Sequence, residues 1–309
     1  MKVEVYTLNA FSEEKGGGNP AGVVLNADEL SESQMLEISK IVGFSETAFV
    51  MRSSKADFCV RFFTPTEEVD FCGHATVATF YLLFHLGILK EGEYKQETKA
   101  GILAVKIASD GLVTMEQATP RFNEKLTTRN EDFEKVCRSL GIENSDVGVH
   151  PIVNGQEQSF FINHMEIVST GLRDLMVPVR SIEILNTLKP DMDLIREISR
   201  AQDITGYHVF AMDCSEATAQ CRNFAPAVGI DEESATGSSS GALGCFLIKN
   251  KIINADKKNI AMIFDQGLTM QRPSKIYVNI IKEAAWGNRV EKVYVGGKAD
   301  DVEKMEVSL

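Results

Sequence analysis

Two stretches of this 309-residue chain resemble each other and lead to a prediction of its fold: residues 61–76 read RFFTPTEEVDFCGHAT, and residues 222–240 read RNFAPAVGIDEESATGSSS. Each begins with Arg-x-Phe-x-Pro, reaches a glycine at Gly73 or Gly237, and continues into an apolar segment of helical length. The arginines lie 161 residues apart and the glycines 164 apart, about half of the chain. This spacing predicts two copies of one strand–turn–helix unit, with two unrelated junctions as the alternative.

Length and composition are those of a globular protein with one large or two ordinary domains. Apolar residues make up 44% of the chain and charged residues 25%, which excludes a disordered or collagen-like protein. With 32 basic and 44 acidic residues the formal net charge is −12, which argues against nucleic acid or an anionic membrane as partner. The N-terminus alternates like a strand instead of resembling a signal peptide, and no apolar run approaches the ~20 residues that span a bilayer. We therefore expect a cytoplasmic protein.

The cysteine and histidine patterns argue against a disulfide framework and against a metal site. The six cysteines are scattered without a CxxC motif, which favours reduced thiols. The five histidines show no HExxH or other metal-ligand spacing, so the sequence predicts no bound metal. Cys72 differs from the other cysteines because it lies directly before Gly73 and His74.

Hydrophobic periodicity predicts a similar order of elements in both halves. The predicted helices are Ser31–Val42, Ala75–Leu89, a segment near Pro190–Ala201 and Ser239–Asn250. The polar stretch from Thr119 to Asn130 is the predicted linker. We therefore expect an N-terminal lobe over residues 1–119 and a C-terminal lobe over residues 120–309, with a last strand at about 290–309 returning to the first lobe.

Two helix starts in facing lobes would suit a negatively charged ligand in the cleft between them. A helix N-terminus offers unpaired N–H groups and about half a positive charge. Gly73 and Gly237 would let a ligand approach the backbone closely. Such a site would hold a carboxylate, or stabilise an enolate-like intermediate, without a metal. This arrangement favours proton transfer next to a carboxyl or carbonyl group.

Four positions are candidates for binding or proton transfer. Glu46 is the candidate acid or base, because the apolar strand after it would desolvate its carboxyl group and raise the pKa; a solvated carboxylate is the alternative. His74 at a helix start is expected to be neutral and either binds a ligand or caps the helix. Asn19 would orient a ligand amide or carboxylate, or hold a turn. The serines after Gly237 lack the nucleophile-elbow pattern, so Ser238 or Ser239 is interpreted as an N-cap.

Taken in order, these motifs resemble the phenazine-biosynthesis PhzF-like family. The resemblance is carried by Gly18-Asn19-Pro20-Ala21-Gly22-Val23-Val24, Ser45-Glu46-Thr47-Ala48-Phe49, the two Arg-x-Phe-x-Pro motifs with their glycine motifs, and Gln266-Gly267 with Arg272-Pro273-Ser274. It spans residues 3 to about 274. The resemblance implies an α+β, diaminopimelate-epimerase-like fold of two pseudo-symmetric lobes. Each lobe would be a sheet wrapped around a central helix, with the active site between the lobes.

The resemblance also implies residue roles. The glutamate of the Ser-Glu-Thr motif is the family's acid/base, which corresponds to Glu46. Gly73, His74, Gly237 and Ser238 correspond to substrate-binding residues at the two helix starts. The archetypal activity is an allylic isomerisation of a dihydro-hydroxyanthranilate. The family implies no cofactor and a homodimer.

Two departures from the family pattern affect the expected function. Glu233-Ser234 stands where the family often has Asp-Pro, and we retain Glu233 as a substrate-binding residue. Cys72 occupies the place of one of two catalytic cysteines in related epimerases, whereas Thr236 stands at the matching place of the second half. We therefore expect a cofactor-independent isomerase acting on a small carboxylated metabolite. The alternatives are a cysteine-assisted epimerase or racemase and a non-catalytic small-molecule-binding protein.

Overall fold

The computed structural model describes residues 1–153, 156–283 and 289–309. The chain divides into two compact units, each formed by more than one segment. Unit 1 contains Met1–Glu116, Gln271–Lys275 and Gly296–Leu309. Unit 2 contains Gln117–Met270 and Ile276–Val295. The C-terminal strand therefore belongs to the unit that the N-terminus forms.

Twenty strands and six α-helices form the part of the chain that the structure describes. The strands are β1 (Lys2–Ala10), β2 (Asn19–Val24), β3 (Thr47–Met51), β4 (Phe58–Phe63), β5 (Glu68–Val69), β6 (Gly92–Thr98), β7 (Gly101–Ile107), β8 (Val113–Glu116), β9 (Arg121–Leu126), β10 (Ile152–Val153), β11 (Gln156–Glu157), β12 (Met165–Ser169), β13 (Arg173–Pro178), β14 (Gly206–Ala211), β15 (Ala219–Ala225), β16 (Ile230–Glu233), β17 (Asn259–Gln266), β18 (Ser274–Lys282), β19 (Val290–Gly297) and β20 (Ala299–Ser308). The helices are α1 (Glu32–Val42), α2 (Gly73–His85), α3 (Glu131–Leu140), α4 (Ile182–Thr187), α5 (Met192–Ala201) and α6 (Gly237–Lys249). Short 3-10 helices cover Asn144–Asp146, Pro226–Val228 and Leu268–Met270.

Unit 1 is a curved sheet around the buried helix α2. Nine of the 13 residues of α2 are buried, as expected for a helix that is apolar on all sides. The helix contacts β1, β2, β3, β7, β8 and β20. Helix α1 covers the outside and connects the parallel strands β2 and β3. It begins with a capping box between Ser31 and Gln34 and ends at Gly43, whose φ of 73° favours glycine.

Unit 2 repeats this order of elements. Strands β13 and β14 are parallel with α4 and α5 between them, β15 runs antiparallel to β14, and β17 runs parallel to β15 after the buried helix α6. In unit 1 the corresponding pairs are β2 with β3, β3 with β4, and β4 with β6. Ten of the 13 residues of α6 are buried. A separate core beneath α3, α4 and α5 includes Phe133, Ile195 and Tyr207.

The predicted repeat extends to side-chain contacts. The Arg61 guanidinium donates two hydrogen bonds to Glu68 at 2.7 and 2.9 Å and lies 5.1 Å from the centre of the Phe63 ring. Arg222 donates two to Glu232 at 2.8 and 2.9 Å and lies 4.9 Å from the centre of the Phe224 ring. Each arginine therefore joins its strand to the short segment that leads into a buried helix.

Two local predictions are wrong for identifiable reasons. The proposed linker Thr119–Asn130 contains strand β9, which pairs with β12. The segment is polar because only Leu126 of this strand is buried, so its sequence resembles a loop. Helix α6 begins at Gly237 after Thr236, which makes no side-chain cap, so Ser238 and Ser239 lie inside the helix and are not N-caps.

None of the six cysteines, all of which lie in the described residues, forms a disulfide. Within the described ranges, no helix has both the length and the apolar character needed to cross a membrane.

Candidate functional site

Glu46 is held at the start of β3 by its neighbour β2. Its backbone carbonyl accepts a hydrogen bond of 3.2 Å from the Gly22 N–H, and Gly22 is aligned with Thr47 in the parallel pair. A Cβ atom on Gly22 would lie 2.7 Å from the Thr47 hydroxyl, so glycine is required for this close packing. The side chain of Glu46 is only 17% exposed. The backbone on both strands therefore fixes where this acid lies.

The start of α2 is held by a chain of hydrogen bonds from a buried strand residue. The Gln96 carboxamide donates to the Thr76 hydroxyl at 3.2 Å, and that hydroxyl donates to the Cys72 carbonyl at 2.8 Å. Cys72 is the N-cap residue and makes no side-chain cap. Apart from its chain neighbours and its own helix backbone, a Cβ atom on Gly73 would meet no atom of the described residues within 4 Å, so the helix start is open at this residue.

Glu46, Cys72 and His74 meet in unit 1. Oε2 of Glu46 lies 3.3 Å from Nε2 of His74, and Sγ of Cys72 lies 3.4 Å from Nδ1 of the same ring. The Ser45 hydroxyl is 3.4 Å from Nε2. Although Oε2 is buried and close to the imidazole, it accepts no hydrogen bond from any of the residues that the structure describes. A carboxylate oxygen in this state is free to accept a proton from a ligand.

Asn19 also belongs to unit 1, on the strand next to Glu46. It is the first residue of β2 and is buried, with only 6% of its surface exposed. The preceding loop is closed by a hydrogen bond of 3.0 Å from the Gly18 N–H to the Pro273 carbonyl. The role of Asn19 in orienting a ligand stays a prediction.

In unit 2 the segment before α6 is held by Gln266. Nε2 of this carboxamide donates to the Glu233 carbonyl at 2.7 Å and to the Thr236 hydroxyl at 3.1 Å, and its Oε1 accepts from the Thr236 N–H at 3.1 Å. The Thr236 hydroxyl donates to Oε2 of Glu233 at 2.7 Å. The sequence placed Gln266 in a family motif without a role. Its hydrogen bonds show that it holds Glu233 and the residue before Gly237.

A buried polar chain lies behind the start of α6. Ser239 donates to Asp174 at 2.6 Å and accepts a hydrogen bond of 3.2 Å from the Asn223 amide, which also lies 3.2 Å from Nδ1 of His208. Burial raises the pKa of Asp174 to about 6, although hydrogen bonds from Ser239 and the Gly206 N–H oppose the shift. Burial lowers the pKa of His208 to about 3, so the imidazole is neutral at pH 7.

Sequence reasoning missed this chain of four residues. Its members come from β13, β14, β15 and α6, so they are far apart in the sequence and form no linear motif. For Asp174, His208 and Asn223 the usable signal was a polar residue within a buried strand, because buried polar groups require partners.

The fold and the two helix starts define the chain as an α+β protein of the diaminopimelate-epimerase-like class. The family described as phenazine biosynthesis-like protein (PhzC-PhzF) matches residues 8–305. The chain belongs to this family.

Relatives and solved structures agree with this assignment. The chain is 35% identical to an uncharacterized isomerase of Clostridium acetobutylicum, over 100% of this chain and 99% of the relative. It is 30% identical to the trans-2,3-dihydro-3-hydroxyanthranilate isomerase of Pseudomonas chlororaphis, over 97% and 93% of the two chains. The crystal structure of a Bacillus anthracis PhzF-family protein is 28% identical, covers both chains completely and superposes with a TM-score of 0.85. Isomerase names therefore recur among relatives over nearly the full length.

Proposed function

We propose that this protein is a cofactor-independent isomerase that moves a proton between carbon atoms of a small carboxylated metabolite, with Glu46 as the acid/base. The observation that carries the proposal is the buried Oε2 of Glu46, which accepts no hydrogen bond within the described part of the chain and lies 3.3 Å from Nε2 of His74. The isomerase names of the full-length relatives support the same reaction class.

The proposed reaction is an allylic proton shift. Glu46 takes a proton from a carbon beside a double bond, and the electron pair of the broken C–H bond moves into the π system. The protonated Glu46 then returns the proton to the far carbon, so that the double bond has moved and no atom is gained or lost. The N–H groups at the start of α2, next to Gly73, would stabilise the negative charge that develops on the substrate. His74 would position the carboxyl group of the substrate.

The segment before α6 is proposed to bind polar groups of a small ligand. The N–H groups after Thr236 suit a carboxylate, and the Glu233 carboxylate suits a donor such as a hydroxyl or amino group. Ser238 lies at the second position of α6 with its side chain partly exposed and would add a hydroxyl to this site. Asn19 is proposed as a further substrate contact. A homodimer and a cytoplasmic location stay predictions.

Deuterium exchange tests the proposal directly. The protein is incubated in D2O with trans-2,3-dihydro-3-hydroxyanthranilate and, separately, with a protein-free metabolite extract, and mass spectrometry follows deuterium uptake into small carboxylates. We expect uptake with the wild type and with the exposed control Glu37→Gln, and none with Glu46→Gln. Uptake by Glu46→Gln at the wild-type rate would contradict the assignment, and a retained metabolite without uptake would favour a binding protein.

A cysteine-assisted epimerase is the second candidate, because Sγ of Cys72 lies 3.4 Å from Nδ1 of His74. In that reaction Cys72 and Glu46 would act on opposite faces of one carbon, one removing a proton and the other donating one. This candidate predicts that Cys72→Ser and alkylation of Cys72 each abolish exchange. Full exchange in the alkylated protein and in Cys72→Ser would exclude it.

A further inference from the structure

Three different metal-binding side chains converge in unit 1. A carboxylate oxygen of Glu46, the sulfur of Cys72 and a ring nitrogen of His74 all lie within 4.8 Å of one another. The closest approach to the carboxylate is 3.3 Å from Nε2 of His74, and the same nitrogen is 4.0 Å from the sulfur. Glutamate, cysteine and histidine all belong to the residue types that commonly bind zinc.

The separations are close to those that a tetrahedral zinc ion requires. Bonds of about 2.0 Å to nitrogen and oxygen and about 2.3 Å to sulfur place the ligand atoms about 3.3–3.6 Å apart. The distance between Nε2 of His74 and Oε2 of Glu46 already has this value. The sulfur of Cys72 must therefore make the main movement, which a rotation of its short side chain would allow. Three protein ligands would leave a fourth position for water, as in zinc sites that are not purely structural.

Charge and burial favour a divalent ion at this position. A thiolate and a carboxylate together balance the two positive charges of the ion, which limits the cost of burying them. All three side chains are less than one-fifth exposed, so bulk water competes weakly as a ligand. A sulfur ligand selects thiophilic ions such as Zn²⁺ over Mg²⁺ and Ca²⁺.

We propose that Glu46, Cys72 and His74 form an inhibitory site for Zn²⁺. The bound ion takes the carboxylate oxygen that would otherwise accept the substrate proton, so proton transfer stops while the fold is unchanged. The inhibitory effect rests on the proposed function of Glu46, but binding of the ion does not. The sequence predicted no bound metal. It could not reveal this site, because Cys72 and His74 lie 26 and 28 residues after Glu46 and the three residues match no linear motif.

Binding is measured first, without any assay of activity. Metal-stripped protein is titrated with Zn²⁺ by calorimetry and with Co²⁺ by absorbance, where a thiolate ligand gives a charge-transfer band and a tetrahedral site gives intense visible bands. We expect one ion per chain and more than tenfold weaker binding in Cys72→Ser, His74→Gln and Glu46→Gln, since even outer partners of metal ligands contribute about 10–100-fold to affinity. Cys59→Ser, a half-buried cysteine on β4, is the matched control and should bind as the wild type does.

Protection of the thiol in the wild type covers the case in which a variant fails to fold. Zn²⁺ should slow the alkylation of Cys72 by iodoacetamide, located by peptide mass spectrometry, while Mg²⁺ at the same concentration should not. Binding of less than one ion per chain overturns the site. The site is also overturned if Cys72→Ser binds Zn²⁺ as tightly as Cys59→Ser does and if Cys72 is alkylated equally fast with Zn²⁺ and with Mg²⁺. Stoichiometric binding with unchanged deuterium exchange overturns the inhibition. If no exchange is found with any substrate, the proposed function fails while the binding measurements still decide the site.

Discussion

The starts of α2 and α6 are built on the same frame but hold different chemistry. Both helices have 13 residues, and in both the hydroxyl of the fourth helical residue, Thr76 or Ser240, donates to the carbonyl of the N-cap residue. Around α2 the structure gathers a carboxylate, a thiol and an imidazole. Around the start of α6 it gathers the carboxamide of Gln266, a hydroxyl and the carboxylate of Glu233. The repeat therefore preserves the backbone frame, whereas the residues that suit proton transfer are concentrated in unit 1.

The largest expected effect separates the two carboxylates, Glu46 and Glu233. We expect Glu46→Gln to lower kcat by about 10²–10⁴-fold, the usual contribution of a general acid or base. Glu233→Gln should mainly raise KM, because that residue is proposed to bind and not to move a proton. Steady-state kinetics on the substrate found by deuterium exchange measures both. A larger loss of kcat in Glu233→Gln would place the chemistry in unit 2 and reverse the comparison.

The second effect is a pH dependence of stability that arises from the buried polar chain in unit 2. The pKa of Asp174 is raised from 3.8 to about 6 in the folded protein. The contribution of Asp174 to stability is therefore fully present below its unfolded pKa. It is lost as the pH rises through about 6, and the total loss in unfolding free energy is about 3 kcal/mol. His208, whose folded pKa is lowered to about 3, contributes stability that is present above pH 6.5 and lost as the pH falls toward 3.

Urea unfolding of the wild type and Asp174→Asn between pH 4 and 7 isolates the first contribution. Because His208 is present in both proteins, its contribution cancels in their difference. We expect the wild type to lose stability relative to Asp174→Asn as the pH rises across this range. A difference that does not change with pH would show that Asp174 titrates normally in the folded state.

A smaller effect compares two buried carboxamides, Gln266 and Gln96. Gln266→Ala removes three hydrogen bonds and leaves the Thr236 N–H and the Glu233 carbonyl without this partner, which should cost about 1–3 kcal/mol. Gln96→Ala removes one hydrogen bond, to Thr76, from a side chain whose Oε1 accepts none, so it should cost less. Urea unfolding free energies at pH 7 measure both. Equal losses would contradict the greater dependence of the α6 start on its carboxamide.

The smallest effect concerns the caps of the outer helices α1 and α4. Ser31→Ala and Ser181→Ala should each lower the unfolding free energy by about 1 kcal/mol, since each serine accepts a hydrogen bond from a helical N–H. Ser31→Ala should lower the unfolding free energy more than Ser181→Ala does, because Gln34 completes a capping box at Ser31 that α4 lacks. Thermal unfolding of both variants, with Ser54→Ala as a control outside both helices, checks the order. A larger loss from Ser181→Ala would contradict it.

The elements that carry the fold are largely visible in the sequence. The predicted helix Ser31–Val42 is found as Glu32–Val42, and Ser239–Asn250 as Gly237–Lys249. These predictions succeed because capping residues and hydrophobic periods are local properties of the chain. The prediction fails at Arg121–Leu126, where a largely exposed strand has the polar composition of a loop.

The sequence by itself determined the repeat, the two glycine-led helices and the choice of Glu46, His74 and Cys72 as candidates, because each rests on spacing or on a neighbouring motif. Only the tertiary structure decided that these three side chains share one position, since β3 and α2 must first fold against each other. It also decided that Gln266 holds Glu233 and that Asp174, Ser239, Asn223 and His208 form one buried chain. Burial and hydrogen-bond partners come from residues far apart in the chain, and these set the pKa values of Asp174 and His208.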